Sequence, residues 1–460
     1  MSKSSVGLTA ISFLVASLVA HPALSHAEDS SFTAADNLVS AEVLGTETLR
    51  DEIAAPSQTE LSIAEEDPAE AVPVALSQLT VMRPEDRPAD AEFNDDRFRQ
   101  RIDYFNQRHG DDRIVEIQAT SPSMNNRSIP LVVIKAKDPN RPILYLLNGA
   151  GGGEQRVTWV SNTQALDFYW KKNINVVIPM RGAFSYYVDW LKEPQGDTYL
   201  KGPQRWETFL TKELPGPLEA ELEADSQRRG IVGMSMSATS SLLLAERNPD
   251  FYDVVGSYSG CAATSKPLPA LWAQFTVNRD GESPASIWGP LGSERNKAHD
   301  ALIQAPGLRD KTIYISNGSG LVSASEVFSS FVNFKTSTPE QSTEALGGSA
   351  EVTVSGGVIE AATNSCTHDL KAKLDHLGIP ATYNFRNTGV HTWSYWVRDM
   401  EDSWPTYAKG FGIDNEEVLP HAFRMRATDE DSNTDSDENL APSETRSTLT
   451  EADLNQLPFD

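Results

Sequence analysis

The sequence predicts an α/β fold in which a central, mostly parallel sheet is flanked by helices. Three observations predict it. Short, nearly continuous apolar runs alternate with helix-like segments between about residues 112 and 411, as strands buried on both faces require. One run passes through a turn of small residues straight into a helix, at Gly233-Met234-Ser235-Met236-Ser237. Another ends in a glycine-rich turn, Asn148-Gly149-Ala150-Gly151-Gly152-Gly153.

Taken in order, the chain opens on a segment of secretory character. Lys3 precedes an apolar core over residues 6–20, Pro22 breaks it, and Ser25-His26-Ala27 supplies small residues for cleavage. Residues 1–27 are therefore read as a signal peptide cut near Ala27, which places the mature protein outside the cytoplasmic membrane. The rival, an uncleaved anchor, needs a longer apolar run. Residues 28–110 are read as an acidic, largely disordered extension. Its apolar runs, Leu61-Ser62-Ile63 and Leu79-Thr80-Val81, are short and without a sustained period. The end of that extension, residues 90–109, is expected to form a helix packed on the core, with a solvated outer face.

The folded domain is assigned to residues 111–411. Runs at 114–117 and 131–134 flank the hairpin-type turn Met124-Asn125-Asn126-Arg127. Further strands are expected at 143–147, 176–179, 229–232, 254–258, 312–315 and 381–385. Residues 412–460 read as an acidic, disordered tail.

Composition sets outer limits. The chain has 460 residues and a net charge of -26, with 9 Trp, 12 Tyr and 17 Phe. That aromatic supply excludes a wholly disordered protein. The charge argues against a nucleic-acid partner, whose phosphates call for Lys and Arg. The only cysteines, Cys261 and Cys366, are expected to pair in an oxidising compartment; two free buried thiols are the alternative.

The strand–turn–helix around Ser235 is the setting of a nucleophile elbow in an α/β-hydrolase, with Ser237 where the pattern usually has glycine. A serine hydroxyl needs a base, and the base an orienting acid. Of the histidines after Ser235, His391 is the chosen base, because it follows the last strand in a polar turn beside Trp393, Tyr395 and Trp396. His368 and His376 read as surface residues of a helix, His299 comes before the strand at 312–315, and His421 approaches the tail. The acid stays open among Glu326, Glu340, Glu344, Glu351, Glu360, Asp369 and Asp375. The oxyanion hole is expected from the N–H of Met236 and one N–H of the glycine-rich turn. That turn lacks the lysine and spacing of a phosphate-binding loop. No metal or cofactor is expected, since no ligand-spaced cluster is present.

These residues resemble the bacterial mycolyltransferases, secreted α/β-hydrolase proteins that move mycolic acyl chains between trehalose and envelope acceptors. The resemblance spans about residues 114–407. It rests on Tyr145-Leu146-Leu147-Asn148-Gly149, Asp189-Trp190, Trp206-Glu207-Thr208-Phe209-Leu210-Thr211, the Ser235 elbow, Ile287-Trp288-Gly289-Pro290 and His391-Thr392-Trp393-Ser394-Tyr395-Trp396. It implies Glu360 as the acid, Met236 and Ala150 as oxyanion donors, and a sugar-binding surface near Asn148, Gly151 and Trp393. Some members carry Asp and Arg where Asn148 and Gly151 stand, so charge-assisted bonds to sugar hydroxyls are lost here. Serine at Ser237 is similar to corynebacterial-type members.

The function expected is acyl transfer from an acylated trehalose donor to a sugar or envelope acceptor through a seryl acyl-enzyme. The alternatives are a secreted carboxylesterase and a non-catalytic envelope or host-ligand binding protein. The long segment 319–358, with Gly347-Gly348 and Gly356-Gly357 as hinges, reads as a flap over the acyl site or a surface loop. A Cys261–Cys366 bridge is expected to position Glu360.

Overall fold

The computed structural model describes residues 74–87, 95–196, 198–323 and 339–413. The signal segment, most of the leader, the tail, Glu326 and His421 lie outside the described residues.

Nine strands form one sheet in the order β1-β2-β3-β5-β4-β6-β7-β8-β9. They are β1 (Leu79–Met82), β2 (Ile114–Ser121), β3 (Arg127–Ile134), β4 (Ile143–Leu146), β5 (Asn175–Pro179), β6 (Arg229–Met234), β7 (Val254–Tyr258), β8 (Thr312–Asn317) and β9 (Thr382–Phe385). Pairing is antiparallel from β1 to β2, β2 to β3 and β3 to β5. From β5 through β4 to β9 it is parallel. This is the α/β-hydrolase architecture that the apolar runs predict. The β2–β3 turn follows from Asn125 and Asn126, both in left-handed backbone, which asparagine tolerates well.

Alternate strand residues sort into two buried clusters. Leu131, Val133, Ile143, Tyr145, Val177 and Ile231 enter one; Val132, Ile134, Leu144, Leu146, Val176 and Val232 enter the other. Side chains alternate across a strand, so the sheet is covered on both faces. That double burial is why the runs are continuous rather than alternating.

Five helices bear on the site: α1 (Asp95–His109), α2 (Met236–Arg247), α3 (Pro267–Val277), α4 (Pro339–Leu377) and α5 (Trp393–Gly410). Strand β1 and helix α1 precede the expected domain start at 111, yet both belong to the fold. Leu79 pairs with Ala119 on β2, and Phe98, Ile102 and Phe105 of α1 are buried in the second cluster. The segment expected to be a flap or loop is helical from Pro339. Helix α4 runs through both glycine pairs for 39 residues. Among the described residues, no helix is long and apolar enough to cross a membrane.

Topology fixes where a site can form. Strand β4 lies between β5 and β6, both parallel to it. The chain thus crosses over to opposite sides of β4, and ligand crevices open at such switch points, beyond the strand C-termini. The glycine-rich turn follows β4, and the Ser235 turn follows β6.

Candidate active site

Ser235 joins β6 to α2 with φ 57° and ψ -122°. A non-glycine residue held in that region stores strain, and the surroundings hold it there. Its N–H donates to Tyr258 O at 2.9 Å, and Ala238 N–H donates to Ser235 O at 3.1 Å. A Cβ at Gly233 would lie 2.0 Å from Ser237 O, so only glycine fits before the turn. Ser237 is fully buried. Its Oγ accepts from Met234 N–H at 3.0 Å and lies 3.1 Å from Met234 O and 3.3 Å from Leu147 O. The serine in place of glycine thus braces the elbow against the end of β4.

His391 Nε2 lies 2.8 Å from Ser235 Oγ, and its Nδ1 lies 2.7 Å from Glu360 Oε2. Helix α4 holds this histidine twice, because the His391 N–H also donates to Gly356 O at 3.1 Å, one turn before Glu360. The ring meets Trp396 edge-on at a centroid distance of 4.9 Å. The Glu360 carboxylate is fully buried. Its Oε1 accepts from Gly318 N–H at 2.6 Å, Ser259 Oγ at 2.7 Å and Asn317 Nδ2 at 3.0 Å. Burial pushes its pKa up, but the bonds from His391, Gly318 and Ser259 outweigh burial and hold the carboxyl below its usual range. Oε1 is therefore occupied by framework donors, and Oε2 is turned to the imidazole.

Sequence reading missed Ser259, Asn317 and Gly318, and read Gly356 as a hinge rather than as a support of His391. The first three stand at the C-terminal ends of β7 and β8, where site residues collect in this topology; that position was the available signal. The other histidines stay apart from this group. His368 and His376 are exposed on α4. His299 is buried, and desolvation by burial lowers its pKa to about 3, so it packs as a neutral ring.

The glycine-rich turn runs beside the elbow. A Cβ at Gly149 would lie 2.6 Å from Met234 Sδ, and one at Gly152 would lie 2.0 Å from Ala183 N. Ala150 is part-exposed and Met236 opens helix α2. The first helical N–H groups have no partner within a helix. Among the described residues neither the Ala150 nor the Met236 N–H donates to another backbone carbonyl.

Of the three expected sugar-site residues, Asn148 requires correction. It is 1% exposed. Its Nδ2 donates to Pro179 O at 3.0 Å, and its Oδ1 accepts from Trp159 N–H at 3.0 Å. The amide is spent on bracing β5 and the segment after the turn, so it has no surface to offer a sugar. Gly151 and Trp393 are part-exposed. Trp393 packs edge-on against Trp159 and Trp396, each at 5.3 Å.

Cys261 and Cys366 form a disulfide across 105 residues. It ties the segment after β7 to α4, six residues beyond Glu360, where Thr367 Oγ1 also lies 3.1 Å from Gly260 O. Closing so long a loop stabilises by about 4–5 kcal/mol in the chain-entropy model. The double variant Cys261→Ser, Cys366→Ser is expected to melt several degrees lower and to turn over ester more slowly. Unchanged melting and turnover would remove the bridge from any positioning role.

Comparison with known proteins adds a family context. The Esterase family model matches residues 121–407. A diacylglycerol acyltransferase/mycolyltransferase Ag85A from Mycobacterium ulcerans is 30% identical over 265 residues, covering 56% of this chain and 70% of the relative. Its namesake from Mycobacterium leprae is 29% identical over 299 residues, covering 64% of this chain and 83% of the relative. Among solved structures, Mycobacterium tuberculosis MPT51 (FbpC1) is similar with a TM-score of 0.48 and 21% identity, over 64% of this chain and 96% of that one.

Proposed function

Because the chain belongs to the Esterase family and, within it, to the mycolyltransferases, we propose that it moves a long-chain, mycolic-type acyl group from an acylated trehalose to an envelope hydroxyl through an acyl-enzyme on Ser235. The observation that carries this reading is the unbroken relay from Ser235 Oγ through His391 to the buried Glu360.

In the first step Ser235 Oγ adds to the ester carbonyl while His391 Nε2 takes its proton. The N–H groups of Met236 and Ala150 receive the oxyanion. Collapse of the tetrahedral intermediate breaks the bond to the sugar oxygen, which leaves with the proton from Nε2. An acceptor hydroxyl then adds to the acyl-enzyme, giving its proton to Nε2, and collapse breaks the acyl bond to Ser235 Oγ, which takes that proton back from Nε2 as the new ester leaves. Glu360 keeps Nδ1 protonated and stabilises the imidazolium.

A long acyl cargo is supported by apolar side chains left in solvent. Leu268, Leu271 and Phe275 follow one face of α3, and Leu321, Val322, Val358 and Ile359 are also exposed. Leu321 belongs to the site's surroundings, since its carbonyl accepts from Gly389 N–H two residues before His391. Export is supported by residues 1–27. With Asn148 committed to the fold, an acceptor sugar is left with the surface of Gly151 and Trp393.

A product assay decides between transfer and hydrolysis, which share every group named above. With a trehalose mycolate-type ester and labelled trehalose as acceptor, label is expected in the acylated sugar. Release of free acid alone, whatever the acceptor concentration, would instead make the protein a carboxylesterase.

A further inference from the structure

The loop that carries His391 is held from below by an ion pair that the proposed chemistry does not use. Arg386 directly follows β9, five residues before His391, and its Nη1 pairs with Asp399 Oδ1 on α5. The Arg386 side chain is 11% exposed and that of Asp399 is fully buried. Two further polar atoms of the pair, Arg386 Nε and Nη2, are buried without a hydrogen-bond partner among the described residues. Burying a charged pair costs more desolvation than it returns unless such atoms are satisfied. Stability is therefore a poor account of it.

Geometry gives a better one. The Arg386 guanidinium lies 5.1 Å from the centre of the Tyr395 ring. That ring also packs against the loop itself, because a Cβ at Gly389 would lie 3.1 Å from Tyr395 Cε1. Arg386 N–H donates to Asn317 O at 3.0 Å, and Asn317 also holds Glu360. The loop's two ends are thus joined, β9 to α5, around the turn that carries His391, with Tyr395 filling the space beneath it.

We propose that Arg386 and Asp399 form a clamp that sets the His391 loop, serving acyl transfer as positioning residues that act through His391 without touching substrate. The inference rests on the Ser235–His391–Glu360 reading above. It also implies a pH response. Burial pushes the Asp399 carboxyl up to about 6 against the opposing pull of Arg386. The groups facing it are Arg386 at the end of β9, Ser316 on β8 and Glu360 on α4; Tyr314 on β8 is coupled to it as well. Below about pH 6 the carboxyl takes up a proton and the clamp opens.

The test uses the full chain with p-nitrophenyl butyrate as probe. Arg386→Met combined with Asp399→Leu removes both buried charges at once, so neither is stranded. This variant is expected to melt cooperatively, to lose about 10–100-fold in kcat and to keep KM within about two-fold. Arg386→Lys, which keeps a charge for Asp399, is expected to recover most of that loss. In the wild type the acid limb of kcat should fall through two ionisations; in the near-isosteric Asp399→Asn it should fall through one. Wild-type kcat in the folded double variant, a change confined to KM, or identical acid limbs in wild type and Asp399→Asn would each overturn the clamp. Ser235→Ala separates the two levels. Turnover that survives in it removes the site reading and the clamp together. Turnover lost there but intact in the double variant removes the clamp alone.

Discussion

Ser235→Ala is expected to lower kcat for ester turnover by about 10⁴–10⁶-fold, with the fold intact. The magnitude follows from how such a site works as a unit. Removing the nucleophile of a serine triad leaves only substrate binding and oxyanion stabilisation, which retain about 10³–10⁴ over water. The fold should survive because the change deletes one hydroxyl from a part-exposed side chain. The backbone bonds that hold the elbow, Ser235 N–H to Tyr258 O and Ala238 N–H to Ser235 O, do not involve that hydroxyl. Alanine must still accept the positive φ of 57°, at a strain cost of about 1–3 kcal/mol that serine already bears. Two measurements check this. Active-site titration with a fluorophosphonate should label the wild type once, on Ser235, and leave the variant unlabelled. Thermal melting should place the two proteins within a few degrees. Labelling of the variant, or turnover within about 100-fold of wild type, would show that another group carries the chemistry.

The elements legible in the sequence are those whose signal is local. Strands β2 to β8 are legible because burial makes each a short apolar run, the half-exposed edge strand β9 because of its aromatic Tyr383 and Phe385, and the elbow because strand, small turn and helix follow one another within a few residues. Strand β1 gives no such signal: Leu79-Thr80-Val81-Met82 is four residues long and comes from an acidic stretch. It becomes a strand by pairing with β2, a contact made about 40 residues away in sequence. Helix α4 misleads for a different reason. Two glycine pairs cost about 1 kcal/mol per glycine in helix propensity, which reads as a hinge. Yet Gly357 lets the helix approach Gly320, whose carbonyl a Cβ would meet at 2.8 Å, and Gly356 offers its carbonyl to His391. The second pair, Gly356 and Gly357, serves close packing at the site. Asn148 shows the limit for single polar residues. Beside a glycine-rich turn it reads equally as a ligand for sugar or a bracket for the fold, and only its partners on Pro179 and Trp159 decide. Glu360 could not be separated by spacing from six other carboxylates. Its selection came from family resemblance, and the three donors to Oε1 give that selection a physical basis.

Those three donors make Glu360→Gln the second large effect, about 10³–10⁴ in kcat with KM little changed. The glutamine amide has one acceptor and one donor end where the carboxylate has two acceptors. At the position of Oε1 the protein presents Gly318 N–H, Asn317 Nδ2 and Ser259 Oγ at 2.6–3.0 Å. Gly318 and Asn317 offer only donors there, so the amide oxygen must take that side. The amide NH₂ is then forced toward His391 Nδ1, which must become an acceptor. That tautomer carries its proton on Nε2, facing Ser235 Oγ at 2.8 Å, and cannot take the serine proton. In a serine protease the corresponding amide substitution costs about 10⁴ for the same reason. The charge change adds a second, independent readout. Because the Glu360 pKa is lowered in the folded protein, its carboxylate adds stability above the unfolded value of about 4.3. That contribution is lost as pH falls through the folded value. Wild type should therefore out-melt Glu360→Gln most at neutral pH, and the gap should close on acidification toward pH 3. A kcat within about ten-fold of wild type would remove Glu360 from the acid's role. A gap that widened toward acid would mean instead that the carboxyl is protonated in the native state, leaving the imidazole without its counter-charge.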